Sequence, residues 1–336
     1  MSGMNTINSF FKRLFLFSSP FVLLLVVYII SDPFKVLYKY ENYNGDTYIY
    51  KNRDFISTEM YLKNSKIYIY DSFIFGSSTV VAYPPSIWGK YINTKNNIFT
   101  FDAAGENIVG IWSKIKYIHN AHHPIKNALI IMDTEITFSK FNNRGHIFMK
   151  HYKIYPSSRF NFHFESFKSF INLKFLIALA HYKISKHFYS YMTNVLDDRS
   201  FYYDLVSNEE HFVGPINELK TDSINYYLRR KGLFITRGNN PPEINSQIDE
   251  DHIQMLKEIN EIFTNDSTNF KIVITPLYNQ VAFNKNDLRI LQKTFGENNV
   301  SDFSGINKYT EAMSNFYDNN HCKKYVGDEI LNRIYY

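Results

Sequence analysis

The chain has 336 residues, 45% of them hydrophobic and 21% charged, which excludes wholesale disorder, and its 10 Pro and 13 Gly exclude a collagen-like or low-complexity architecture. A single cysteine, Cys322, excludes an internal disulfide framework and a multi-cysteine zinc site, and a mean hydropathy of −0.30 excludes a polytopic membrane protein. The net charge of +5 points weakly to an anionic partner, and the placement of that charge carries more information than its total.

Residues 14–30 read LFLFSSPFVLLLVVYII, 17 positions without a charge, preceded by Lys12 and Arg13. That length is at the short end for a membrane-spanning helix, and the basic flank favours an N-terminus-inside orientation. The run ends in Ser31-Asp32-Pro33, which lacks the small-residue pattern of a signal-peptidase site. Residues 1–31 are therefore expected to be a cytoplasmic stub and retained anchor. A cleaved signal peptide and a buried core helix are the alternatives. The remainder would face the far side of the membrane, which in a bacterium is the periplasm or cell surface.

Residues 32–66 are polar and rich in Tyr and Asn, and read as a connector. Beyond them, short apolar runs at 72–75, 98–101, 128–132 and 271–275 alternate with helical stretches near 79–91, 106–120, 250–264 and 285–295. Buried strands alternating with helices predict an α/β domain over 67–336: a three-layer α/β/α sandwich around a parallel, flavodoxin-like sheet. The rhythm breaks after residue 134, predicting a largely helical insertion at about 135–245. Residues 140–190 hold nine basic residues against one acidic residue, Glu165, together with five of the eleven histidines. Residues 167–186 read as one helix with an apolar centre. Two readings stand: a core-packing helix with basic flanks, or a surface helix contacting anionic lipid or glycan, or lining a path for an acyl substrate.

The most informative run is Phe75-Gly76-Ser77-Ser78-Thr79. A strand ends at glycine and serines follow where a helix should begin. In a parallel sheet, ligands sit beyond the carboxyl ends of strands, and backbone N–H groups at a helix start attract negative charge. A serine nucleophile that forms a tetrahedral oxyanion needs that setting, although serine is also a common helix cap. Near the C-terminus stands Asp318-Asn319-Asn320-His321. An Asp and a His three apart can face one another, the carboxylate fixing the imidazole tautomer and leaving Nε2 to accept a serine proton.

Together these segments resemble the SGNH (GDSL-like) hydrolase superfamily over roughly residues 67–135 and 268–336. The resemblance implies Ser78 as nucleophile in the block Gly76-Ser77-Ser78, with Ser77 where the family carries an acidic residue. It implies Asp318 and His321 as the terminal Asp-x-x-His block. It further implies Gly105, within Asp102-Ala103-Ala104-Gly105-Glu106-Asn107, as an oxyanion donor beside the Ser78 N–H. The family's third block is Gly-x-Asn-Asp; here Ile131-Met132-Asp133-Thr134 stands in its place without the asparagine, and Asn107 is the substitute donor considered. With the anchor, the pattern looks like membrane-tethered proteins of bacterial envelope or exopolysaccharide modification. It implies an inner-membrane, single-pass enzyme with a periplasmic domain. The expected activity is ester hydrolysis or O-acyl transfer on an acylated glycan or related ester, with no metal or organic cofactor. A non-catalytic glycan-binding or assembly protein of the same fold is the alternative.

Other signals are weaker. His119, His122 and His123 cluster without a metal-binding motif, no P-loop occurs, and nothing supports nucleic-acid binding. Cys322 reads as a buried structural thiol, and Arg229-Arg230-Lys231 as a solvated helix end.

Overall fold

The structure, a computed structural model, describes residues 2–336 apart from 46–47, 95–96, 141–144, 198–200 and 239–241, and of residues 2–8 the backbone only. The chain opens with helix α1 (Ser2–Ser31), whose stretch Ser9–Ser31 is long and apolar enough to cross a membrane. Its exit is tightly held. The Asp32 carboxylate accepts the backbone N–H groups of Val36 (3.0 Å) and Leu37 (2.9 Å) and the hydroxyl of Tyr40 (2.9 Å).

Five strands form one parallel sheet: β1 (Ser72–Gly76), β2 (Ile98–Asp102), β3 (Asn127–Met132), β6 (Asn269–Ile274) and β7 (Val300–Asp302). Their spatial order is β2-β1-β3-β6-β7, which becomes 2-1-3-4-5 when only these strands are counted, the flavodoxin-like order. β1 and β2 are buried along their whole length, because helices cover both faces. Alternation sorts the side chains. Phe73 and Phe75 face a core built with α2 (Arg53–Asn64), α4 (Ile108–Asn120), α8 (Glu250–Asn265) and α9 (Lys285–Phe295). Ile74, Leu129 and Val273 face the opposite core, with Trp88 of the short α3 (Pro85–Trp88) and Val326, Ile330 and Leu331 of α11 (Lys324–Tyr335).

Four expected strands lie where the apolar runs put them. The predicted helix near 79–91 is instead a 3-10 turn at Ser78–Ala82 followed by α3, since Pro84 and Pro85 interrupt it. The expected connector 32–66 contains α2, most of which is buried. Asn52 caps it by accepting the Phe55 N–H at 2.7 Å. Its polarity belongs to the interior: Arg53 pairs with Asp102 at 2.6 Å and Asp54 with Lys114 at 3.0 Å.

Between β3 and α8 lie α5 (Arg159–Phe170), α6 (Leu173–Ser185), the antiparallel hairpin β4–β5 (Phe201–Tyr203 and Glu210–Phe212) and α7 (Val213–Arg229). The single helix expected at 167–186 is two helices. Asn172 ends the first and starts the second by accepting the N–H groups of Lys174 (3.0 Å) and Phe175 (3.4 Å). Between β7 and α11 lies the short helix α10 (Lys308–Glu311).

Glu59 on α2 receives hydrogen bonds from His151 at 3.0 Å and Lys153 at 2.6 Å. Burial alone would raise its carboxyl, but these donors outweigh it and pull the pKa down to about 2. Because the folded value lies below the unfolded one, the stabilisation is complete above the ordinary carboxylate range and disappears as pH falls through that range toward 2. Glu59→Gln is therefore expected to melt earlier than wild type at pH 7, by on the order of 2 kcal/mol, with the gap closing toward pH 2–3. Thermal unfolding in detergent across that pH range measures it.

Candidate active site

The site forms at the carboxyl edge of β1. Gly76 has a φ of +152° and passes close to β3; a Cβ there would lie 2.5 Å from the Ile131 carbonyl oxygen and 3.0 Å from Val80 Cγ1. Only glycine permits this approach. The chain then turns through Ser77, which caps the 3-10 turn, and Ser78 becomes its first residue. Ser77 is buried, and its hydroxyl donates to Asp133 at 3.0 Å. This bond joins the serine turn to the residue that follows β3. Burial raises the Asp133 carboxyl, against the hydrogen bonds it accepts from Ile136, Ser77 and Glu135.

The second half of the site is a tight loop closed by the antiparallel bridge between Phe316 and Cys322. Asp318 Oδ1 accepts the backbone N–H groups of Asn320 (2.9 Å) and His321 (3.0 Å), which fixes the carboxylate inside its own turn. His321 Nδ1 lies 2.7 Å from Asp318 Oδ1 and 2.8 Å from Oδ2. On the other side of the ring, Nε2 lies 2.8 Å from Ser78 Oγ. His321 is 7% exposed and packs edge-on against Phe212 of β5, ring centroids 5.6 Å apart. The structure thus brings Ser78, His321 and Asp318 into one hydrogen-bonded line across 243 residues of sequence. With the carboxylate on Nδ1, the imidazole offers Nε2 as acceptor to the serine hydroxyl.

The expected oxyanion groups divide. Gly105 lies in the turn after β2 with a φ of +59°. This loop borders the serine turn, because Asp102 is in register with Gly76 and the Ala103 N–H donates to the Gly76 carbonyl at 3.3 Å. Asn107 has a different use: its side-chain oxygen accepts the Gly110 N–H at 3.2 Å and caps α4. Among the described residues no hydrogen bond links Gly105 or Asn107 to the Ser78–His321–Asp318 line.

Cys322, next to His321, is fully buried, and burial pushes its thiol up to about 12, so it is no nucleophile. The histidines at 119–123 do not converge: His119 Nδ1 meets Asp266 at 3.2 Å and His123 Nδ1 meets the Tyr61 hydroxyl at 2.6 Å. Among the described residues no group of three or more His, Cys, Asp or Glu side chains is arranged to hold a metal ion. The basic run at 229–231 is not simply solvated. Arg230 pairs with Glu218 at 2.6 Å and lies over the Tyr226 ring at 4.2 Å. Both arginines line a cavity of about 500 Å³ that also includes Phe212, Tyr226, Tyr317 and Asp318. Nothing in the sequence spacing signalled that cavity, because its walls come from four separated segments. No known protein-family model matches the chain, and no curated protein matches it significantly.

Gly76→Ala tests the geometry of the serine turn. The added methyl must displace backbone, so a loss of about 1–3 kcal/mol in stability is expected. Gly232→Ala, where a Cβ meets open space, should leave the melting temperature nearly unchanged. Thermal melts of the two variants make the comparison.

Proposed function

We propose that the protein is a membrane-tethered serine ester hydrolase or O-acyltransferase of the SGNH (GDSL-like) type, working on an acylated glycan or related ester on the extracytoplasmic side of a bacterial inner membrane. The observation that carries this reading is the pair of contacts on one imidazole: Nε2 to Ser78 Oγ at 2.8 Å and Nδ1 to Asp318 at 2.7 Å. The sheet order and the position of Ser78 beyond the carboxyl end of β1 support it as well.

The chemistry follows from these groups. As Ser78 Oγ attacks the ester carbonyl, its proton passes to His321 Nε2, and Asp318 stabilises the imidazolium that forms. The carbonyl oxygen becomes an oxyanion. The N–H groups of Ser78, at the start of a 3-10 turn, and of Gly105 are the donors this reading assigns to it, each worth about 3 kcal/mol when aimed at that charge. Collapse expels the alcohol, which takes the proton from Nε2 and leaves an acyl-serine. As the acceptor oxygen then attacks the acyl carbon, His321 Nε2 takes its proton and passes it to Ser78 Oγ, whose bond to the acyl group breaks. Water as acceptor gives hydrolysis, and a sugar hydroxyl gives O-acyl transfer. The competing reading, a non-catalytic glycan-binding or assembly module, draws on one observation: Asn107, the substitute donor, is committed to capping α4.

A fluorophosphonate probe separates the two. Wild type is expected to be labelled and Ser78→Ala unlabelled; a folded wild type that stays unlabelled overturns the enzyme reading. Asp318→Asn leaves the imidazole in the wrong tautomer and is expected to slow turnover of a short-chain aryl ester by about 10⁴-fold. Steady-state hydrolysis rates measure that loss.

A further inference from the structure

The insertion carries exposed apolar side chains that the esterase chemistry does not use. On α5, Phe160 and Phe164 are 79% and 51% exposed; on α6, Leu173, Ile177 and Ile184 are 69%, 52% and 84% exposed. The spacings i, i+4 and i, i+4, i+11 put each set on one stripe of its helix. Water is a poor solvent for a patch of that size on a folded domain.

The depth of α5, to which α6 is joined through Asn172, is fixed by its contact with α1. Phe167 of α5 packs edge-on against Phe21 of α1, ring centroids 5.4 Å apart, and against Tyr28 at 5.3 Å; Phe170 meets Tyr28 at 5.2 Å. Leu24 and Leu25 complete the same stripe of α1, partly buried against the domain, while Val22, Leu23, Val26 and Val27 on other sides stay exposed. Phe21 stands ten residues before Ser31, the end of α1. At 1.5 Å per residue that is about 15 Å along the helix, roughly half of a 30 Å hydrocarbon layer. A side chain touching Phe21 therefore lies at bilayer depth whenever α1 spans. The lysines fit the same placement: Lys168, Lys174, Lys183 and Lys186 are exposed around the apolar stripes, where they meet anionic headgroups.

We propose that the α5–α6 hairpin is a second membrane element, embedded in the leaflet on the domain's side with its Phe160/Phe164 and Leu173/Ile177/Ile184 stripes in the acyl chains. This inference rests on α1 crossing the bilayer and is independent of the esterase reading. The occupant of the patch is lipid, because α5 packs through Phe167 and Phe170 against the stretch of α1 that is apolar enough to span, and exposed lysines lie on the same two helices.

The test uses the full chain in vesicles of phosphatidylethanolamine and phosphatidylglycerol. Phe164→Cys, Ile177→Cys, Phe21→Cys and Glu297→Cys carry a small thiol-reactive fluorophore, and wild type checks that buried Cys322 does not react. Labels at 164 and 177 are expected to be quenched by nitroxide on the lipid acyl chain as the label at 21 is. Iodide should quench them several-fold less than the label at 297. Iodide access at 164 and 177 with a protected label at 21 overturns the hairpin proposal and leaves the anchor standing. Iodide access at 21 overturns the anchor itself. Labels at 164 and 177 shielded from both quenchers mean that protein covers the patch, which also overturns the proposal.

Discussion

The ammonium of Lys114, 2% exposed, is the constraint on which the rest of the domain depends. It reaches Asp54 at 3.0 Å, Glu106 at 2.5 Å and the carbonyl oxygen of Asp102 at 3.0 Å. Burial pushes this ammonium down, and the two carboxylates beside it more than reverse the effect. One cation thereby ties α2, the end of β2 and the turn that carries Gly105. Arg53 repeats the arrangement from α2, binding Asp102 at 2.6 Å and Asn208 at 3.0 Å, and Lys150 brings the insertion to Glu106. Each ion costs several kcal/mol to remove from water, and the opposite charges packed against it offset that cost. The network's return is register. The loop after β2 has no ladder of its own and is held through Glu106 and the Asp102 carbonyl.

The serine turn and the histidine loop meet above this base by different means. Ser78 is aimed by sterics, through the close pass of Gly76 against β3. His321 is aimed by a short loop whose ends pair through Phe316 and Cys322 and whose outer side is packed with rings. Phe212 meets both Tyr317 and His321, and the Tyr226 hydroxyl donates to the Tyr317 carbonyl at 2.8 Å. The aromatic content of 18% is used in this way throughout. Rings fill space around loops, and the phenolic tips satisfy carbonyls that a purely aliphatic core would leave unpaired.

Features set by neighbouring residues are legible in the amino-acid sequence itself. β1, β2, β3 and β6 announce themselves as short apolar runs, and Ser78, Asp318 and His321 each sit in a motif a few residues long. What escapes such a reading depends on distant partners. α2 looks like a polar connector because Arg53 and Asp54 are charged, yet Asp102 and Lys114 that neutralise them lie 49 and 60 positions away. β7 has three residues and owes its place to pairing with β6. Asn172 divides α5 from α6, but one asparagine in an apolar stretch carries little local signal. Asn107 has the right chemistry for an oxyanion donor and the right position for a helix cap, and only the fold decides between them.

The same reasoning bears on how α1 joins the domain. A flexible tether would leave the domain free to tumble above the membrane. Here Asp32 clamps the chain as it leaves α1, and Phe34 then packs on His146 and Phe175, ring centroids 4.0 and 5.3 Å away. The His146 carbonyl accepts Asn52 Nδ2 at 2.6 Å, and Asn52 caps α2, whose Arg53 holds the end of β2 beside Gly76. Every link from the end of α1 to the serine turn is a buried contact or a short hydrogen bond. Orientation is therefore inherited from α1: the carboxyl edge of the sheet, and Ser78 with it, keeps a fixed attitude to a helix long and apolar enough to cross a membrane.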